Sequence, residues 1–253
     1  MTPIQIKKIR DAIQRKNERS FVLIVRRLFV VQFDDLISKI KNTKRSPLIV
    51  NIDEVFNDWE KWDSYLKKRL DPSVRKAIQE GFDFAKKQAK LSGPLNYDDQ
   101  AFQKALRDSL ANSKYINDTT RNQVEAAITE FKNNGGTIAE LTTHLQSKVL
   151  PSISLYRART IATTTTTTSM NAGSHAMMQR FKDDIEYQQW FSQKDDKVRE
   201  SFNYDHVAAD GQRVQIGQPF IVSGEALRYP GDPSGSLGNI INCRCFAIPI
   251  KKK

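Results

Sequence analysis

The sequence predicts an α+β fold. A mostly helical N-terminal region over residues 1–150 is followed, over residues 151–253, by a small α+β domain with an antiparallel sheet. Three observations predict it. Apolar residues recur at steps of three and four through the first 150 residues. Two strong turn motifs, Asp210-Gly211 and Pro230-Gly231-Asp232-Pro233, then separate short aromatic and β-branched runs. Glycine (11) and proline (9) are too scarce among 253 residues for a collagen-like or proline-rich disordered chain.

The elements follow in chain order. Ile4, Ile6, Ile9 and Ile13 fall on one helix face, with Lys7, Lys8, Arg10 and Arg15 elsewhere. Phe21, Val25, Leu28 and Val31 continue an apolar stripe, to which Ile24 adds. A stretch both basic and apolar fits an interfacial membrane helix or a core or partner-facing one. Asp34 and Asp35 follow directly and argue against an anionic lipid surface. Ser46-Pro47 breaks the pattern. Helical segments resume from Asp53 to Ala89, where Val55, Trp59, Trp62, Leu66 and Leu70 repeat at three and four. Asp71-Pro72 marks a boundary, since proline suits a first helical turn. Ser92-Gly93-Pro94 is a loop, and Phe102, Leu106 and Leu110 start another helix. The next helix is expected from Thr120 to Lys132. Asp118, Thr119 or Thr120 caps it, Val124, Ile128 and Phe131 form its stripe, and Gly135-Gly136 stops it. Thr137 with Glu140 forms a capping box for a helix that ends before Pro151.

Past residue 151 the character changes. Ser152 or Ser154 can cap a helix carrying Leu155, Ala158, Ile161 and Ala162. It runs into six consecutive threonines, Thr163 to Thr168. Branched Cβ atoms lose χ1 freedom in a helix, so propensity alone points to a strand. The flanks, Arg157 to Arg159 and Met170 to Met177, look helical instead. From residue 185 the signal turns to β. Ile185 to Phe191 is aromatic-rich, Asp210-Gly211 reads as a hairpin turn between Val207 and Val214, and Ile240 to Ile250 reads as a terminal strand.

Composition excludes several classes. The longest apolar stretch, Phe21 to Phe33, is broken by Arg26 and Arg27 and falls short of the roughly 20 residues a spanning helix needs. Met1 to Arg10 lacks the apolar core and cleavage site of a signal peptide. Two cysteines one residue apart cannot build a disulfide scaffold, and an intracellular origin is expected.

The net charge of +11 is concentrated at the ends. Residues 1–50 hold 12 Lys/Arg against 4 Asp/Glu, a surplus of 8, and Lys251 to Lys253 supply the other three. Basic ends suit an anionic partner, with Lys7, Lys8, Arg10, Arg15, Lys16, Arg19, Arg26 and Arg27 as the expected contact residues. The competing reading is a set of solvated helix faces. The spacing holds no base-reading module, so contacts to double-stranded DNA would fall on phosphates, sequence-blind and salt-sensitive.

A polar constellation fills the last sixty residues. Cys243-Arg244-Cys245 on a strand would put both sulfurs on one face. With His206 they can supply three ligands of a structural zinc, with Asp195 or Asp232 as a fourth. Two small buried residues packed under the sheet are the alternative. His206 beside a thiol and an aspartate can also form a nucleophile–base set, or act as a structural hydrogen-bonder. Trp190, Asp195, Arg199, Asp210, Asp232 and Arg244 are expected to form a structural cluster. In it, Arg199 or Arg244 would pair with Asp195 or Asp232 as a buried ion pair.

The order of these pieces resembles the phage head morphogenesis, or minor head, proteins similar to the Mu F protein. Over residues 155–250, Arg159, Ile161-Ala162, Asn171 and Gly173 stand in the family's opening helix. Trp190, Asp195 to Arg199, His206, Asp210-Gly211, Phe220, Pro230 to Pro233 and Asn242 to Cys245 follow in the family's order. Threonines replace its Arg-Thr-Glu, and about four extra residues separate Arg199 from His206. The resemblance implies a structural, non-enzymatic virion component acting in procapsid assembly and genome packaging or delivery. Its partners would be the portal protein, major capsid or scaffold protein and packaged DNA, without a membrane. It would reside at the capsid interior or portal vertex, and in the host cytoplasm during assembly. The alternative is a hydrolase or toxin-like effector using His206 and Cys243 or Cys245.

Overall fold

The computed structural model describes residues 1–43, 47, 50, 53, 58–111, 113–151 and 155–252. Ser46, Val55, Ser152, Ser154 and Lys253 lie outside them. Helix α1 spans Pro3–Asn42, α2 Trp59–Ala89, α3 Gln100–Ala111, α4 Ser113–Asn134, α5 Ile138–Val149 and α6 Leu155–Arg180. A short helical turn, α7, covers Leu237–Ile240. The strands are β1 Ile185–Phe191, β2 Glu200–Ser201, β3 Tyr204–Asp205, β4 Arg213–Gln215, β5 Phe220–Val222, β6 Glu225–Leu227 and β7 Phe246–Lys251. The α+β class is as expected.

The chain forms two compact units that cut across sequence order. One contains residues 1–21, 70–111 and 160–253; the other contains residues 22–69 and 112–159. Sequence character divides the chain at residue 150, whereas packing divides it within α1, α2 and α6.

The second unit has helices and no strand among its described residues. Its core joins Phe33, Ile37 and Ile40 of α1, Trp62 of α2, Val124, Ile128 and Phe131 of α4, and Leu141 and Leu145 of α5. The α4 stripe is the expected one, but the helix begins earlier, at Ser113. Thr119 and Thr120 therefore do not cap it: their hydroxyls donate one turn back, to the carbonyls of Tyr115 (2.7 Å) and Ile116 (3.1 Å). Gly135 and Gly136, both at positive φ, end the helix. The Thr137–Glu140 capping box forms as expected and opens α5.

The first unit holds the sheet. Strand β1 is the centre of a three-stranded antiparallel sheet, between β4 and β7. A register shift between Ile185 and Tyr187 re-phases β1, so that Ile185 and Trp190 are both buried despite their odd spacing. Asp210-Gly211 is a turn, but not the hairpin expected. The chain before it pairs β3 with β2, and the chain after it pairs β4 with β1. The Pro230-Gly231-Asp232-Pro233 turn forms, with Gly231 at φ +76° and Asp232 N–H donating to the Tyr229 carbonyl. The terminal strand is shorter than expected, because residues 237–240 coil into α7 and Cys243 and Cys245 precede β7.

Two further expectations are corrected. Pro72 lies inside the continuous helix α2 rather than at a helix start. It is exposed, so water can serve the carbonyl left without a donor. Residue 70 is nonetheless where α2 passes from one unit to the other. In α1, Val31 is exposed, while Phe29 and Phe33 take its expected place in the core.

The threonine run is helical. Thr166, Thr167 and Thr168 are at most 1% exposed. The Thr164 hydroxyl donates to the Thr160 carbonyl (2.8 Å), and that of Thr168 to the Gly231 carbonyl (2.8 Å). Burial on a helix flanked by good helical sequence overrides an intrinsic preference worth only tenths of a kcal/mol per residue.

Candidate functional site

His206 follows β3, and Trp190 lies on β1 beneath it. The indole and imidazole rings meet in a T, with centroids 5.6 Å apart and planes at 88°. Cys243 and Cys245 lie in the segment between α7 and β7, outside the strand expected for them, yet both sulfurs face His206. His206 Nδ1 stands 3.7 Å from Cys243 Sγ and 3.5 Å from Cys245 Sγ. The three donor atoms all lie within 4.8 Å of one another. The three residues are each 2% exposed. The other ring nitrogen, Nε2, is 3.1 Å from Asn239 Oδ1. An amide oxygen only accepts, so Nε2 carries the proton, and in the neutral imidazole Nδ1 offers its lone pair to the sulfurs. A pocket of about 10 Å³, bordered by Lys197, Arg199, Asn242 and Arg244, reaches these atoms.

The electrostatics are those of a coupled trio. Burial disfavours the imidazolium, but the hydrogen bond and charge of Cys243 outweigh it and raise the His206 pKa. The Cys243 thiol is pushed down, by the hydrogen bond from Cys245 first and by His206 after burial is overcome. Its neighbour Cys245 is pushed up by Cys243 and by burial.

Asn171 of α6 holds the surrounding backbone. Its Nδ2 donates to the carbonyls of Pro230 (2.8 Å) and Cys245 (2.9 Å), and its Oδ1 accepts from Arg10 Nη2 (3.1 Å). Gln193 Nε2 donates to the Arg244 carbonyl at 2.9 Å. The peptide between Arg244 and Cys245 and the one that follows Cys245 are therefore fixed by side chains from elsewhere in the chain.

The structural cluster is brought only partly together. Arg244 binds Asp195 through two bonds of 2.7 and 2.6 Å, a partly exposed pair. The buried pair is a different one. Asp232, 0% exposed, accepts from Arg228 Nε (2.7 Å), Arg228 Nη2 (2.5 Å) and the backbone N–H groups of Arg228 and Ser234. Burial disfavours the Asp232 charge, yet these donors hold its carboxyl below the usual range. Arg199, expected to pair with an aspartate, donates to the Ile241 carbonyl instead. Asp210 accepts from the Ser192 N–H (2.8 Å) and pairs with Lys194. With their oxygens engaged, neither Asp195 nor Asp232 joins the His206 group as the fourth ligand once expected.

Of the expected contact residues, Lys8, Arg15, Lys16, Arg19, Arg26 and Arg27 are exposed and Lys7 is half-buried. Arg10 is fully buried and faces Asn171 and Met170. Burial pulls its pKa down to about 9. It belongs to the interior and not to a contact surface.

A family model described as phage Mu protein F like protein matches residues 118–248, just over half of the chain. The chain belongs to the phage Mu protein F-like family. It is thus a phage head morphogenesis protein, of a family of structural head proteins. No curated protein and no solved structure matches it significantly. The family region of this head protein begins earlier than the expected residue 155. It takes in most of α4 and all of α5, which the sequence motifs alone did not connect with it.

Sequence reading missed Arg228, Asn239 and the linking role of Asn171. Arg228 stands four residues before Asp232, a spacing that could have drawn attention to it. Asn239 and Asn171 carry no such signal, because their partners are 33 and 59 to 161 residues away.

Proposed function

We propose that this head protein is a minor head protein acting in procapsid assembly and in genome packaging or delivery. Its partners are the portal protein, the major capsid or scaffold protein, and packaged double-stranded DNA bound without sequence preference. Family membership supports the head role. The observation that carries the DNA contact is the exposed basic face of α1. Lys8, Arg15 and Arg19 stand seven and four residues apart and are all exposed. That spacing keeps them on one side of a helix, along a stripe of about 16 Å. Arg10 is not part of it.

The test is charge reversal. Lys8→Glu, Arg15→Glu and Arg19→Glu together are expected to weaken binding to duplex DNA. They should also flatten the plot of log affinity against log salt by about 3, roughly one unit per lost phosphate contact. An unchanged slope would remove the DNA contact from α1. Co-sedimentation of the same variant with portal-containing procapsids tests docking separately: failure of the unmodified chain to associate would overturn the head-assembly reading.

The hydrolase or toxin-like reading needs His206 and Cys243 in an open cleft. Their burial, the small pocket and an amide rather than a carboxylate orienting His206 support an architectural role instead.

A further inference from the structure

We propose that His206, Cys243 and Cys245 bind one zinc ion through Nδ1 and the two sulfurs, with a water completing the tetrahedron on the pocket side. The inference does not depend on the head-assembly reading, because it concerns the isolated chain.

The distances carry it. Zinc bonds sulfur at about 2.3 Å and imidazole nitrogen at about 2.0–2.1 Å. At tetrahedral angles these lengths put a nitrogen and a sulfur on one metal about 3.5 Å apart. The observed separations are 3.5 and 3.7 Å. The donor set is also selective. Two thiolates and an imidazole suit zinc, whereas magnesium and calcium take oxygen ligands.

The surroundings are those of a formed ligand set. Asn239 sets the tautomer by accepting from Nε2, the usual way an outer partner orients a metal-binding histidine. Trp190 packs perpendicular to the same ring and limits its rotation. Asn171 and Gln193 hold the carbonyls of Cys245 and Arg244, and the Cys243 N–H donates to the Ile240 carbonyl (3.1 Å), so the backbone at both cysteines is held without the metal. Asp195 and Asp232 are taken by Arg244 and Arg228, and the donor group holds three protein ligands among the described residues. A three-ligand site leaves one position, and the adjoining pocket of about 10 Å³ is close to the room one water requires.

The experiment is metal analysis of the full chain, purified under reducing conditions without chelator. One zinc per chain is expected, together with a lower melting temperature after chelation that zinc restores and magnesium does not. Cobalt(II) added to the metal-free chain should give thiolate-to-metal charge-transfer absorption and the intense visible bands of tetrahedral cobalt. Cys243→Ser and His206→Ala should each lose metal. Where a variant fails to fold, the cobalt spectrum of the unmodified chain decides. A chain isolated without zinc whose spectrum cobalt leaves unchanged would overturn the proposal. So would a melting temperature indifferent to chelation.

Discussion

His175 is half-buried and uncharged on α6, near Arg228, Lys104 and Asp232. Burial, with Arg228 adding to it, lowers its pKa to about 4 from the ordinary 6.5. The unfolded chain then takes up a proton near pH 6.5 that the folded chain refuses until about pH 4. Stability is complete above 6.5 and falls as pH drops through that window, by at most about 3 kcal/mol at 1.36 kcal/mol per pH unit. Asp195 and Asp232 act at lower pH. Their carboxyls are held below the ordinary value of 3.8, so their contribution is present above it and lost as pH falls further. Urea midpoints measured from pH 7 to pH 4 should decline in the unmodified chain. The decline should be much shallower in His175→Gln, and equal slopes would rule the account out. Asp232 itself illustrates the cost of a buried charge: its four donors are needed because desolvation alone would neutralise it.

Between elements, α2 and α6 of the first unit cross closely at two glycines. A Cβ on Gly81 would fall on the Met170 carbonyl, and one on Gly173 on the Ile78 carbonyl. The Ser174 hydroxyl donates to the Gly81 carbonyl (2.9 Å) across the same crossing. Backbone cannot move aside as a side chain can, so Gly173→Ala is expected to cost about 3 kcal/mol or more. The check is the urea midpoint at unchanged slope, and a variant within about 0.5 kcal/mol of the parent would show that the helices can separate at little cost. Much of the element level was legible in the sequence. The Thr137–Glu140 box, the Val124–Ile128–Phe131 stripe, strand β1 and the Pro-Gly-Asp-Pro turn depend on residues a few positions apart. The threonine run was not legible, because its helical state depends on burial against distant segments. The Asp210-Gly211 hairpin failed for a related reason: the turn chemistry was right, but strand partners are chosen by the whole sheet.

At the scale of the molecule, the first half of α1 is interior structure and not a detachable arm. Ile6 packs with Phe84 and Phe246, Gln14 Nε2 donates to Thr167, and Gln193 Nε2 donates to Asp11. Deleting residues 1–20 is therefore expected to abolish the native signature of the first unit. Near-ultraviolet circular dichroism and a thermal melt report it, and a deletion variant with the parent melting temperature would refute the role given to this helix. For the same reason, charge reversal at exposed positions tests DNA contact where truncation would not. What the sequence determined by itself was local or ordered along the chain. Helical periodicity, caps, turns, the concentration of positive charge near the N-terminus and the succession of motifs that marks the family are all of this kind. Only the tertiary structure decided which arginine is buried, which aspartate Arg228 holds, and that an imidazole meets two sulfurs 37 and 39 residues away. Periodicity reports which face of an element is apolar, whereas such meetings depend on how several faces pack at once, and no short-range pattern encodes that.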